Sequence, residues 1–183
     1  MYREKATILK KYSNIKILTY VTVKPLFLTI EESINDVIKT MNDLQNITDI
    51  VSLEPISIQK NTLVELFYKN NLYEPPKGWI IKEILSKLHS RNFINSFELR
   101  IGGFEFFPIP DLFIRNCDKC TKDLYNAIDI YNTSKDDTAI LDLNCDCYND
   151  FKEKMYIEKD TISNIPIEER IYNSLEYFLY KIA

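Results

Sequence analysis

Four cysteines are the residues of this chain best suited to chemistry. Cys117-Asp118-Lys119-Cys120 is a C-x-x-C, and Cys145-Asp146-Cys147 is a C-x-C. Two thiolate pairs brought together close a tetrahedral site, and the length of chain between them falls in the range of structural zinc modules. A C-x-C half-site is less usual than a second C-x-x-C. The same four residues therefore also read as reduced thiols in surface loops, or as a pair that oxidises after purification. A zinc ion here would be structural rather than catalytic, because protein ligands would fill all four positions.

Little else converges on a reaction. His89, the only histidine, follows Leu85 by four residues beside an apolar stripe and reads as an edge residue rather than a general base. Without a second histidine, a serine–histidine arrangement or a histidine metal triad lacks its partners. The carboxylate pairs Asp136-Asp137 and Glu168-Glu169 fall in solvated positions, where nothing pushes their pKa values apart. There is no P-loop, dinucleotide fingerprint or H-E-x-x-H. The expectation is a binding protein and not an enzyme, with no catalytic or cofactor-binding residue.

At 183 residues the chain has the size of one domain. It buries roughly 70% of its unfolded surface on folding and needs no staples. Hydrophobic residues make up 45% and charged residues 27%, a globular balance. The N-terminus is charged and lacks the apolar core and small-residue cleavage site of a signal peptide. The apolar stretch 14–30 is interrupted by Lys16, Lys24 and Pro25, so no membrane span is expected. A cytoplasmic setting follows, in which the thiols stay reduced.

Charge is unevenly distributed around a net of −4. Residues 1–24 are basic through Arg3, Lys5, Lys10, Lys11, Lys16 and Lys24, whereas residues 111–150 are rich in aspartate. Asp118, Asp123, Asp129, Asp136, Asp137 and Asp146 are candidate contacts for a basic partner steered by long-range attraction. They also read as a solvated loop face. Lysines and aromatics interleave at Lys10-Lys11-Tyr12 and across 16–20, a route to single-stranded nucleic acid. Tyrosine is abundant throughout, however, and the net charge argues against general nucleic-acid binding.

The elements that must position these groups are partly visible. Residues 15–30 read as two short strands or an irregular edge hairpin split by Lys24-Pro25. Thr29-Ile30-Glu31-Glu32 is a capping box for a helix burying Ile34, Val37, Ile38, Met41 and Leu44. Pro55 breaks the chain, and Ser57 is placed to cap a helix carrying Leu63, Leu66 and Phe67. Asn70-Asn71 stops that helix. Pro75-Pro76 leads into another with Ile80, Ile81, Ile84, Leu85 and Leu88 on one face. Strands are expected at 97–101 and 104–109, joined at Gly102-Gly103 as a tight hairpin. A short helix is expected at 124–130, and strands at 138–143 and 154–158. A final helix buries Ile167, Ile171, Leu175, Phe178, Leu179 and Ile182. These elements predict a single α+β domain over 1–183 with a mainly antiparallel sheet.

Taken in order, several of these landmarks resemble the SUKH superfamily, the Smi/Knr-type fold. Pro76 and Trp79 match its proline-led helix with an aromatic three residues on. Gly103-Phe104-Glu105-Phe106-Phe107-Pro108-Ile109 resembles its glycine-led strand, Ile140-Leu141-Asp142-Leu143 its later strand, and residues 174–179 its serine-led closing helix. Lys82-Glu83-Ile84-Leu85 departs from the aromatic–leucine pair expected there. The resemblance places a SUKH-like core at 55–183 and an N-terminal embellishment at 1–30, with an insertion at 116–135. It implies an immunity protein that neutralises a cognate bacterial toxin, such as a nuclease domain, by occlusion. Two alternatives are a regulatory or scaffolding protein of the same fold and a small zinc-stabilised, nucleic-acid-binding protein, as in a virus.

Overall fold

A computed structural model describes residues 1–90, 97–102 and 112–182. In chain order its elements are α1 (Tyr2–Leu9), β1 (Leu18–Val23), α2 (Ile30–Leu44), β2 (Ile50–Pro55), α3 (Leu63–Lys69) and α4 (Trp79–His89). Then come β3 (Glu98–Ile101), α5 (Thr121–Ser134), α6 (Thr138–Leu141), α7 (Cys147–Thr161) and α8 (Ile167–Ile182).

The expected mainly antiparallel sheet is overturned. The three strands lie in the order β1-β2-β3 and both pairings are parallel. Their connections explain why. β1 reaches β2 through α2, and β2 reaches β3 through α3 and α4. Parallel neighbours need such crossovers, whereas a tight hairpin would reverse the chain. The molecule is a helix-rich α/β arrangement.

The register aligns Val21 with Leu53 and Leu53 with Ile101. These residues, with Val23 and Val51, are buried in one core with the inward faces of α2, α4 and α5. Alternate residues point to the other face, and at β1 these are Leu18, Tyr20 and Thr22, all exposed.

The strongest local expectations stand. Thr29 caps α2 through a complete capping box: its hydroxyl accepts from Glu32 N, while the Glu32 carboxylate accepts from Thr29 N. Ile34, Val37, Ile38, Met41 and Leu44 are buried, and burying each such side chain contributes roughly 1.5–3 kcal/mol. α4 buries Ile80, Ile81, Ile84, Leu85 and Leu88 as expected.

Other elements differ. Residues 15–30 hold one strand, not two. α3 is capped by Thr62, whose hydroxyl accepts from Glu65 N, rather than by Ser57. The stretches expected as strands at 138–143 and 154–158 are not extended: α6 occupies 138–141 and starts where Asp136 Oδ1 accepts from Thr138 N, and 154–158 lies inside the fifteen-residue α7. β3 pairs with β2 in parallel, and the second strand expected at 104–109 lies outside the described residues. Among the described residues, no helix is long and apolar enough to cross a membrane.

A smaller cluster joins the far ends of the chain. Phe67 of α3 packs on Phe178 of α8, with Ile58 and Tyr73 beside them. Arg170 of α8 fixes the same end by donating to both Glu32 carboxylate oxygens at 2.7 Å and to the Phe27 carbonyl.

Candidate metal centre

Two helix starts converge at the cysteines. Cys117 and Cys120 precede α5, Cys145 precedes α7, and Cys147 is the first residue of α7. The first half-site is a turn locked by Thr121. Its hydroxyl donates to the Cys117 carbonyl at 2.7 Å and accepts from Asn116 N at 3.1 Å, while Cys120 N also donates to the Cys117 carbonyl. At the second half-site, Tyr148 N donates to the Cys145 carbonyl at 2.9 Å as α7 begins.

α4 holds the two halves together. Trp79 N donates to the Asn116 side-chain oxygen, and Gly78 N donates to the Arg115 carbonyl. A Cβ on Gly78 would lie 2.1 Å from a methyl of Leu124, so only glycine lets α5 approach this closely. On the other side, Lys82 Nζ donates to the Leu143 carbonyl at 2.6 Å, ahead of Cys145. The same ammonium lies over the Tyr148 ring at 5.1 Å. The Trp79 indole Nε1 donates to Cys147 Sγ at 3.3 Å.

The four sulfurs lie within 4.8 Å of one another. The Cys117–Cys120, Cys117–Cys145 and Cys120–Cys147 separations are each 3.6 Å. An ion bonded to sulfur at about 2.3 Å puts tetrahedral sulfurs about 3.8 Å apart. The cluster thus has the size of a cage for one ion. A cluster with each cysteine on a different iron would hold the sulfurs farther apart.

The thiols differ in acidity. Hydrogen bonding from Cys147, and then from Cys120 and Cys145, draws Cys117 down to about 6. Burial pushes Cys120 up. A bound cation reverses that penalty by taking the proton's place on sulfur. Asn116 Nδ2, buried without a partner among the described residues, leaves both of its N–H groups free a single residue from Cys117.

The structure brings all four predicted metal-ligating cysteines together. It does not gather the six aspartates in the same way. Asp118, Asp123, Asp129, Asp136 and Asp146 are exposed, Asp123 and Asp129 on α5 and the others outside it, and Asp118 pairs with Arg115. Asp137 faces His89 at 3.3 Å. Sequence reasoning missed Trp79 and Lys82 as neighbours of the sulfurs. Their contacts cross from α4 to residues more than sixty positions away, and no local pattern announces them.

No family model matches the chain, and no solved structure does. Curated relatives do. The chain is 26% identical over 152 residues to the archaeosine synthase subunit beta of Methanosarcina acetivorans, covering 83% of this chain and 42% of that protein. It is 30% identical over 163 residues to an uncharacterized protein of Methanocaldococcus jannaschii, covering 87% and 42%. A third likeness, 33% over 70 residues, is to the archaeosine synthase subunit beta of Thermococcus kodakarensis, covering 38% and 22%. The chain thus spans about two-fifths of the length of the first two relatives. These names correct the expectation of an immunity-type, toxin-binding protein: the likenesses lead to subunits of a synthase, not to a toxin's antagonist.

Proposed function

We propose that this chain is a zinc-stabilised body of an archaeosine-synthase-type subunit, working in tRNA modification beside a partner enzyme subunit. The observation that carries this reading is the likeness to a protein of that name over 83% of the chain. Four thiolates in a tetrahedral cage of single-ion size select zinc among common divalent ions, and a reducing cytoplasm keeps them available.

The chain's own contribution is to hold and present rather than to react. Zinc bound by Cys117, Cys120, Cys145 and Cys147 has no open position for substrate. It supplies a cross-link between the starts of α5 and α7. Among the described residues, no nucleophile, general base and oxyanion donor meet at one point. The reading keeps the zinc-stabilised, nucleic-acid-directed alternative and assigns it a substrate class.

Deleting the chain from its host, followed by mass spectrometry of nucleosides from total tRNA, tests this. Archaeosine should fall and return when the intact chain is restored. Unchanged archaeosine in the deletion strain overturns the proposal. Measuring zinc in the purified, reduced protein checks the metal separately.

A further inference from the structure

A cleft of about 850 Å³ opens beyond the carboxyl end of β1, between residues 24–30, residues 71–77, α7 and the first half of α8. That volume suits a small organic ligand, and the carboxyl ends of parallel strands are where α/β folds bind such ligands. Phe151 and Ile157 give the cleft an apolar wall, and Lys24, the first residue after β1, also lines it.

The chain fixes Lys24 with unusual care. Its φ is 61°, and that of Phe27, three residues on, is 72°. Side chains rarely adopt this left-handed region, and it persists where the surroundings enforce it, often at functional sites. Here the buried Ser33 hydroxyl accepts from Lys24 N at 2.7 Å, and the buried Tyr73 hydroxyl donates to the Lys24 carbonyl at 2.7 Å.

The amine at the end of this side chain lacks an ion pair among the described residues. Nζ donates to the Leu28 carbonyl at 2.5 Å and lies 5.8 Å from the centre of the Tyr73 ring. Each carboxylate that acts on it is engaged elsewhere. Glu158 accepts from Ile30 N at 2.7 Å, Glu74 pairs with Lys154, and Glu32 pairs with Arg170. Burial lowers the Lys24 ammonium below its ordinary value; Glu158 opposes that shift and the Lys154 ammonium adds to it. A desolvated lysine beside a second cation is the arrangement that makes an amine nucleophilic.

We propose that Lys24 is a reactive amine on which this cleft captures a small, uncharged aldehyde as an imine. The neutral nitrogen attacks the carbonyl carbon and forms the C–N bond. Both amine protons then leave with the carbonyl oxygen as water, and the C=N bond remains. One aldehyde is consumed and one water released, with no oxidant or reductant required. Once protonated, the imine retains one N–H for the Leu28 carbonyl, and Glu158 balances its charge. Arg170 and Lys154 are already paired, which with the apolar wall favours an uncharged ligand over an anion.

The test treats the intact chain with benzaldehyde and cyanoborohydride at pH 7, which reduces any imine to a stable secondary amine, and maps the adducts by peptide mass spectrometry. Each unit by which a lysine's pKa falls raises its neutral fraction about tenfold at this pH. Lys24 should therefore be labelled at least about tenfold faster than the exposed Lys119. Its rate should saturate with benzaldehyde concentration, as capture in a cleft requires, while that of Lys119 stays linear. Lys154→Met, which removes the neighbouring ammonium, should slow labelling at Lys24 severalfold and leave Lys119 unaffected. A lysine that only ties the turn through Leu28 would react no faster than Lys119. That result, a linear dependence at Lys24 or an unchanged rate in Lys154→Met overturns the proposal. The labelling reads a bond on this chain alone, so its outcome is independent of archaeosine.

Discussion

The Trp79 indole donates its only hydrogen bond to the sulfur of Cys147, 3.3 Å away and 68 residues along the chain. Trp79 is 1% exposed, and its ring packs on Tyr148, with centroids 5.0 Å apart. It therefore joins the core of α4 to the metal cage. An N–H directed at a thiolate stabilises the charge that metal binding requires, and losing such a second partner typically costs 10–100-fold in affinity. Trp79→Phe should weaken zinc binding by about that factor in competition with a chromophoric chelator. The smaller ring also leaves a cavity worth about 1–3 kcal/mol. Zinc affinity normalised to the folded fraction isolates the hydrogen bond, and an unchanged value excludes this role.

The metal should contribute to stability because only the folded chain brings the four sulfurs within 4.8 Å. Reduced protein should carry about one zinc. Removing it should cost about 3–4 kcal/mol where free metal stands several hundred-fold above its dissociation constant. Cys120→Ser should match chelation most closely, since Cys120 is the buried ligand at 3% exposure. Calorimetric scans with and without chelator check this. Identical midpoints would mean that the cage contributes nothing to the fold.

How far the sequence disclosed this arrangement depends on whether the signal was local. The capping box at Thr29 and Glu32 and the α4 stripe involve neighbours three and four residues apart, and both were legible. So was the thiol pairing, because each half-site is contiguous. Ile140 and Leu141 were not: a short apolar run fits a strand or a buried helical turn equally well. Tertiary contact decided for helix. β2 escaped notice because Pro55 read as a break, yet a proline is tolerated at the last residue of a strand. Without β2, nothing revealed that the flanking strands run parallel.

The ion pair between Glu32 and Arg170 predicts an acid limb of stability. Hydrogen bonding from Arg170 lowers the Glu32 carboxyl from 4.5 to about 2. A depressed carboxylate stabilises the fold above its unfolded value and ceases to do so as pH falls through the folded value. The contribution should therefore be complete above about pH 5 and fade from there down to about pH 2. Glu32→Gln should flatten this limb in denaturant titrations at several pH values. Arg170→Met should cost about 1–2 kcal/mol at neutral pH, moderated by partial exposure of Glu32. An unaltered limb in Glu32→Gln would locate the acid sensitivity elsewhere.

Gly78 should be intolerant of even one added carbon. A Cβ there meets the Leu124 side chain at 2.1, 2.9 and 3.0 Å, and Leu124 is 1% exposed. Gly78→Ala should destabilise by about 1–3 kcal/mol through overpacking. It should also reduce zinc affinity, because it pushes α5 and its two cysteines away from α4. The double variant Gly78→Ala with Leu124→Ala should recover part of the zinc affinity, since removing the leucine branch clears the clash. Non-additivity in that cycle, read by metal competition, is the signature of direct contact.

Glu54 gives the opposite pH response to Glu32. Burial raises its carboxyl above 4.5, only partly offset by the hydrogen bond from Ser52. A raised carboxyl means that the folded chain binds the proton more tightly than the unfolded chain, so ionisation destabilises the fold as pH rises through the folded value. Glu54→Gln keeps the shape and an acceptor for Ser52 while removing a charge that no cation offsets among the described residues. It should be more stable than the parent at pH 7, with the advantage vanishing below about pH 4.5. Urea titrations of the isolated chain across that range measure the difference directly. A variant less stable at pH 7 would show that the carboxylate is already compensated within the chain, leaving no unpaired charge for a ligand or partner to neutralise.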